Sequence, residues 1–278
     1  MGPVAAFLPD GRRLHLQHGP TDLILQVFAQ EDVRADAYAA AMERFETLLD
    51  GLVREMGRLR GRADPADVFE DPVAQRMQAA VLPHLPVFVT PMAAVAGAVA
   101  DEVLAAMTDG LPISKAYANN GGDAALHLTG SASLDAALWN DGDAGRITIS
   151  AADGIGGMAT SGWRGRSHSL GIADAVTVLA ATAAAADVAA TLIANAVDLP
   201  GHPAIDRSPA VALNPESDLG KRPVTVGVGP LSMDETAQAL DRGASVAESM
   251  RHAGLIAAAS LHLGEDARTI GLPRQLGE

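Results

Sequence analysis

Residues 115–130 read KAYANNGGDAALHLTG, and the fold turns on how the middle of that stretch is read. Two short runs of small and apolar residues flank Asn119-Asn120-Gly121-Gly122-Asp123. Paired glycines supply the positive φ that a tight hairpin turn needs, and Asn and Asp side chains bond readily to their own backbone there. Run, turn and run predict two adjacent antiparallel strands. The alternation continues through LDAALWNDGDAGRITISAAD (134–153) and GIGGMATSGWRGRSHSLGIADAVTVLA (154–180). These segments set short apolar strands between Gly, Asn and Asp turns, so a mostly antiparallel sheet is expected.

Working outward, the periodicity changes. RRLHLQHGPTDLILQVFA (12–29) carries another hairpin signal, with Pro20 setting the turn. From Asp32 to Arg60, Tyr38, Met42, Phe45, Leu48, Leu49, Leu52, Met56 and Leu59 recur at spacings of three and four, which predicts a helix. FVTPMAAVAGAVADEVLAAM (88–107) begins extended and turns helical after Pro91. AAAADVAATLIANAV (183–197) predicts a helix buried on several sides. An irregular stretch then leads to a strand at 224–229, a helix from Ser232 to Arg251 and a closing strand at 255–264. This order predicts an α+β fold, a mostly antiparallel sheet with helices packed on one face. No linker is evident, so residues 1–278 are expected to form a single domain.

Composition excludes several classes of function. The chain has 20 basic and 34 acidic residues, a net charge of −14, which argues against nucleic-acid binding because phosphate neutralisation needs clustered Lys and Arg. The absence of cysteine rules out disulfides, thiolate metal sites and Cys nucleophiles. MGPVAAFLPDGRRLHL has no basic segment followed by an apolar one, and the apolar runs are alanine-rich and interrupted by Asp101 and Asp187. The expectation is a cytoplasmic protein with no membrane association.

Three segments carry chemistry. GIGGMA at 154–159 formally fits G-x-G-x-x-A, but the Gly- and Ser-rich TSGWRGRSH follows where a dinucleotide site needs a helix to open. TSGWRGRSH itself places Thr160, Ser161, Arg164, Arg166, Ser167 and His168 on one short segment. It reads either as an anion-binding loop, since Arg offers a planar donor fork, or as a solvated surface loop. On the alanine helix, Asp187, Thr191 and Asn195 fall at i, i+4 and i+8 on one face. Asp and Thr offer hard oxygen ligands suited to Mg²⁺ or Ca²⁺; a buried carboxylate accepting backbone N–H bonds is the alternative.

Taken in order, ANNGGDAALHLTG, ATSGWRGRSH…ADAVTVLA and AADVAATLIANAV resemble segments of the ApbE-like superfamily, the FAD:protein FMN transferases. The whole chain looks closest to a cytoplasmic branch of that superfamily without an assigned function. The resemblance implies a T-fold-related α+β architecture. It also implies a Mg²⁺ ligand pair at Asp187 and Thr191, and an FAD or FMN pocket bordered by Asn120, Gly121, Gly122, Thr160, Ser161 and Gly162. Arg164 and Arg166 would bind the anion, with His168 and Asp123 as catalytic candidates. The transferases carry a Gly-x-Ala-Lys segment where this chain reads Ala100 and Asp101, and their His-His-Ile-Asp-Pro run is reduced to SHSLGIAD.

The function expected on that basis is a Mg²⁺-dependent transferase or phosphoryl-transfer enzyme acting on a flavin nucleotide or another phosphate-bearing small molecule. The alternatives are an enzyme of the same fold acting on a small carboxylate without flavin, and a non-catalytic ligand-binding protein. The small-residue helix at Met92–Met107 also suggests a homodimer.

Overall fold

The computed structural model describes residues 2–138 and 145–271. In chain order the strands are β1 (Val4–Phe7), β2 (Leu14–His18), β3 (Thr21–Val27), β4 (Lys115–Asn120), β5 (Asp123–Leu128), β6 (Ser133–Leu138), β7 (Gly145–Ser150), β8 (Gly157–Ser161), β9 (Ala175–Ala180), β10 (Ile205–Pro209), β11 (Pro223–Val228), β12 (Ala258–Leu263) and β13 (Asp266–Ile270). The helices are α1 (Glu31–Leu59), α2 (Pro72–Val81), α3 (Val95–Thr108), α4 (Ala183–Ala196), α5 (Ala210–Leu213) and α6 (Met233–His252). Nine strands follow the order β1-β2-β3-β4-β5-β8-β9-β12-β13.

The stretch at 115–130 forms the predicted hairpin: Asn120 pairs with Asp123, and Gly121 and Gly122 turn the chain at φ 66° and 123°. The Asn119 side chain closes the turn by accepting the Gly122 N–H at 2.9 Å. The strand pairs β1·β2, β2·β3, β3·β4, β4·β5, β5·β8, β9·β12 and β12·β13 are all antiparallel. β8 and β9 follow suit, because Gly156 bonds to Ala180 while Trp163 bonds to Ala173. The α+β, mostly antiparallel architecture is therefore the one the hairpin signals predicted.

By its internal contacts the chain divides into two compact units, Met1–Asp135 with Thr148–Ala159 and Ala180–Asp187, and Ala136–Ile147 with Thr160–Leu179 and Val188–Glu278. The boundaries fall inside β6, β7, β8, β9 and α4, so no linker separates the units. In the first, β3 alternates buried and accessible residues along its length. There α3 packs on β4 and β5 and against α1 and α2. Glu102 of α3 bridges Arg44 of α1 and Arg76 of α2, each at 2.8 Å. Burial pushes the Glu102 carboxyl up, but these two guanidiniums outweigh it and hold it below the usual range. In the second unit α6 packs on β12 and β13.

The predicted long helices occur within a residue or two of their expected limits. The strands β1, β10 and β13 were not anticipated. All four residues of β1 are exposed and three of five in β13, so neither shows the alternation that marks a half-buried strand. The Asn/Asp/Gly turn expected within WNDGDA (139–144) lies outside the described residues.

Candidate functional site

α4 begins with an unusual cap. The Thr182 hydroxyl accepts the Ala185 N–H at 3.1 Å, as an N-cap residue does. The two N–H groups before it donate to a carboxylate from another helix: Ala183 to Asp101 Oδ1 at 3.0 Å and Ala184 to Asp101 Oδ2 at 2.9 Å. One turn further along α4, Asp187 returns the arrangement. Its Oδ2 accepts the Gly97 N–H at 3.0 Å, and the Ala96 N–H adds a second bond. Ala96 and Gly97 lie in the first turn of α3, where backbone N–H groups have no partner within the helix. Each helix thus carries the acid that caps the other.

This requires close backbone approach. A Cβ on Gly97 would lie 2.3 Å from the Ala183 carbonyl oxygen, so no larger residue fits without displacing one helix start. Asn120, at the end of β4, fixes the same corner: its amide donates to the Ala96 carbonyl at 3.1 Å and accepts the Asp22 N–H at 3.3 Å. Asp123 opens β5 directly after the Gly121–Gly122 turn and pairs with Asn120. Burial pushes the Asp187 carboxyl well above the ordinary aspartate range, and the charges of Asp123 and Asp101 push it further. The Gly97 and Ala96 N–H groups oppose that rise only in part. Among the described residues no cationic side chain pairs with Asp187.

Both readings of Asp187 made from the sequence bear on this geometry. It does accept backbone N–H bonds from a neighbouring segment, as the structural alternative held. Those bonds leave its charge poorly compensated. The residue is partly accessible, as are Thr191 and Asn195 on the same helix face, while most of the intervening positions are buried. Burying Val188, Leu192 and Ile193 stabilises by roughly 1.5–3 kcal/mol each, so the apolar side of α4 can carry one costly carboxylate.

The second unit holds the remaining candidates. The Thr160 hydroxyl meets that of Thr177 at 2.8 Å, across β8 and β9. Ser161 is half-buried, and Gly162 is buried against the Asp174 backbone, whose oxygen a Cβ would approach to 2.3 Å. Arg164 is exposed but already engaged on one side. Its Nε bonds to Asp174 Oδ1, and its guanidinium lies 4.8 Å above the Trp163 ring. Trp163 Nε1 shares the same carboxylate oxygen at 3.1 Å, and the Gly264 N–H takes the other at 2.7 Å. Arg166 is exposed and His168 half-buried, and among the described residues neither bonds to a protein partner. Asn195 accepts the Leu170 N–H at 2.8 Å and the Ser169 hydroxyl at 3.3 Å, so the end of the polar stripe secures a loop.

GIGGMA leads into strand β8 rather than the opening of a helix, so the dinucleotide fingerprint is absent in structure as well as in context. Asp101 is the residue that sequence reasoning missed. It appears there as an interruption of an apolar run and as a departure from the family's Gly-x-Ala-Lys segment, and nothing local shows which helix start it reaches. Pro91–Thr108 is the one segment among the described residues long and apolar enough to cross a membrane, and half of it is buried inside the fold.

Donor chemistry tests whether Mg²⁺ suits this corner. Asp187 offers a carboxylate and Thr191 a hydroxyl one turn later on the same helix. Among the described residues no three His, Asp or Glu side chains converge into a ready-made cage. One carboxylate and one hydroxyl are hard oxygen donors, the ligand type that Mg²⁺ takes alongside waters and substrate phosphates.

A UPF0280 protein of Methanopyrus kandleri is 35% identical over 178 residues, covering 63% of this chain and 70% of that protein. Among solved structures, the apo flavinyl transferase ApbE of Pseudomonas stutzeri is 12% identical with a TM-score of 0.45, covering 97% of this chain and 95% of that one. A variant of the flavin transferase ApbE from Vibrio cholerae is 11% identical with a TM-score of 0.49, covering 97% of each chain. The family described as AbpE bacteria matches residues 5–269. With nearly the whole described chain inside that match, the protein belongs to the bacterial AbpE family, an ApbE-like family as its motifs implied.

Proposed function

We propose that this protein is a Mg²⁺-dependent transferase acting on a flavin nucleotide, FAD or FMN, or on a closely related phosphate-bearing small molecule. The observation that carries the reading is the Asp187 carboxylate, met by backbone N–H groups and surrounded by like charge. A divalent cation would relieve that electrostatic demand, which no cationic side chain among the described residues meets. Asp187 and Thr191 hold the metal in this reading. When bound there, Mg²⁺ would supply charge neutralisation to the nucleotide's phosphate oxygens.

The chain's own groups do the rest. The Asn120–Gly121–Gly122 turn and the Thr160–Ser161–Gly162 segment border the nucleotide. Arg166 meets the anion, and Arg164 contributes only to the extent that Asp174 releases it. Asp123 and His168 are the groups that take the proton from an attacking hydroxyl. The protein acts in the cytoplasm on a small molecule, without nucleic acid or membrane, as a homodimer.

The test is a thermal-shift titration of wild type and Asp187→Asn with Mg²⁺, FAD, FMN and small carboxylates. Ligand at a hundred times its Kd stabilises by about 2.7 kcal/mol, well within detection. An FAD or FMN shift that needs Mg²⁺ and disappears in the variant is expected. A shift with small carboxylates alone, unchanged in the variant, overturns the reading.

A further inference from the structure

We infer that Asp101 is a positioning residue for the Asp187 carboxylate, acting through a reciprocal clamp between the first turns of α3 and α4. The inference rests on the metal reading of Asp187 given above. Asp101 uses both carboxylate oxygens on Ala183 and Ala184, at 3.0 and 2.9 Å. It therefore fixes where α4 starts and, four residues on from Ala183, where Asp187 stands. Asp187 in turn binds the Gly97 N–H at 3.0 Å, four residues before Asp101 on α3. The two carboxylates and the two helix starts form one closed circuit.

A second feature ties that circuit together independently of the charges. Gly97 packs directly on the Ala183 and Ala184 backbone, where even a Cβ would lie 2.3 Å from the Ala183 oxygen and 2.6 Å from the Ala184 nitrogen. The helix starts therefore have almost no room to shift independently. Asn120, bonded to the Ala96 carbonyl, attaches the circuit to the end of β4. Disturbing one cap should be felt at the other. A carboxylate that holds a metal must be aimed, and groups that aim ligands without touching the metal typically affect affinity by about 10–100-fold.

The clamp and the metal can be tested separately. Backbone amide hydrogen exchange is measured on wild type, Asp101→Asn and Asp187→Asn, together with Mn²⁺ titration followed by electron paramagnetic resonance. Asp101→Asn is expected to speed exchange at Ala183 and Ala184 and also, across the circuit, at Ala96 and Gly97. Asp187→Asn, which keeps an acceptor for Gly97, reports whether Mn²⁺ binding depends on the Asp187 charge. The same Asp101→Asn protein is expected to bind Mn²⁺ about tenfold or more weakly, with Asp101→Glu restoring part of the loss.

If Asp101→Asn changes only Ala183 and Ala184 and leaves Mn²⁺ affinity untouched, Asp101 is a local cap and the inference fails. If wild type shows no Mn²⁺ binding that depends on Asp187, the metal reading fails instead. The exchange response at Gly97 then decides whether the clamp itself exists. Should Asp101→Asn not fold, Thr182→Ala loosens the same helix start more gently and makes the same distinction.

Discussion

Two half-buried aspartates, Asp174 and Asp187, show how differently one fold can treat the same side chain. Asp174 has a guanidinium, an indole N–H and a backbone N–H, so each of its oxygens has a donor and its charge has a counter-ion. Asp187 has backbone N–H groups and the negative charges of Asp123 and Asp101. A carboxylate that is fully satisfied holds a structure together. One left with an electrostatic demand is where the proposed cation would sit. The contrast also reassigns Arg164: the apparent anion donor of TSGWRGRSH serves Asp174 first.

The largest effect should come from the packing beneath the Asp187 side. Gly97→Ala forces a Cβ into the Ala183 backbone, and chemical denaturation should show a loss of about 3 kcal/mol or more. Next, Asp174→Ala strips the acceptor from the Trp163 indole and the Gly264 N–H. A loss of about 2–3 kcal/mol is expected, and Arg164 adds little because its side chain is 61% exposed.

Asp187→Asn should move the other way. Without metal, the protein is expected to be as stable as wild type or up to about 1 kcal/mol more stable, because a repelled charge is removed while an acceptor for Gly97 remains. A loss as large as that of Asp174→Ala would erase the distinction between the two sites. Arg164→Ala should cost about 0.5 kcal/mol and leave Mg²⁺-dependent ligand shifts intact; loss of ligand binding would return Arg164 to the site.

The smallest effect lies at Glu235, a control far from both carboxylates in character. The Ser232 N–H, then His202 and the Ser232 hydroxyl, hold its carboxyl down at about 2. Its folded value is depressed, so its contribution is present above the ordinary glutamate range and fades as pH falls towards about 2. Glu235→Gln should lower the melting temperature slightly at pH 7 and not at pH 2; an equal difference at both would mean that the charge plays no part.

Legibility in the sequence followed the range of the interactions. The 115–130 hairpin was readable because its two-glycine turn needs positive φ and its flanks pair with one another. The long helices were readable from their period, and the family from three motifs in order. The exposed edge strands left no alternation to read. Asp101 was invisible as a partner because 82 residues separate it from Ala183. Arg164 and Arg166 looked equivalent in TSGWRGRSH, and only the Trp163–Asp174 contacts tell them apart.

By itself, then, the sequence determined what short-range physics specifies: the antiparallel hairpins, the helices, the polar stripe Asp187–Thr191–Asn195 and the family resemblance. Those depend on φ preferences, side-chain period and residue chemistry within a few positions. Only the tertiary structure decided which charges are answered. It paired Asp174 with Arg164, turned Asp101 onto the start of α4 and left Asp187 against backbone N–H groups and like charges. Compensation of a buried charge depends on what packing brings within a few ångströms, and that is a property of the folded chain alone.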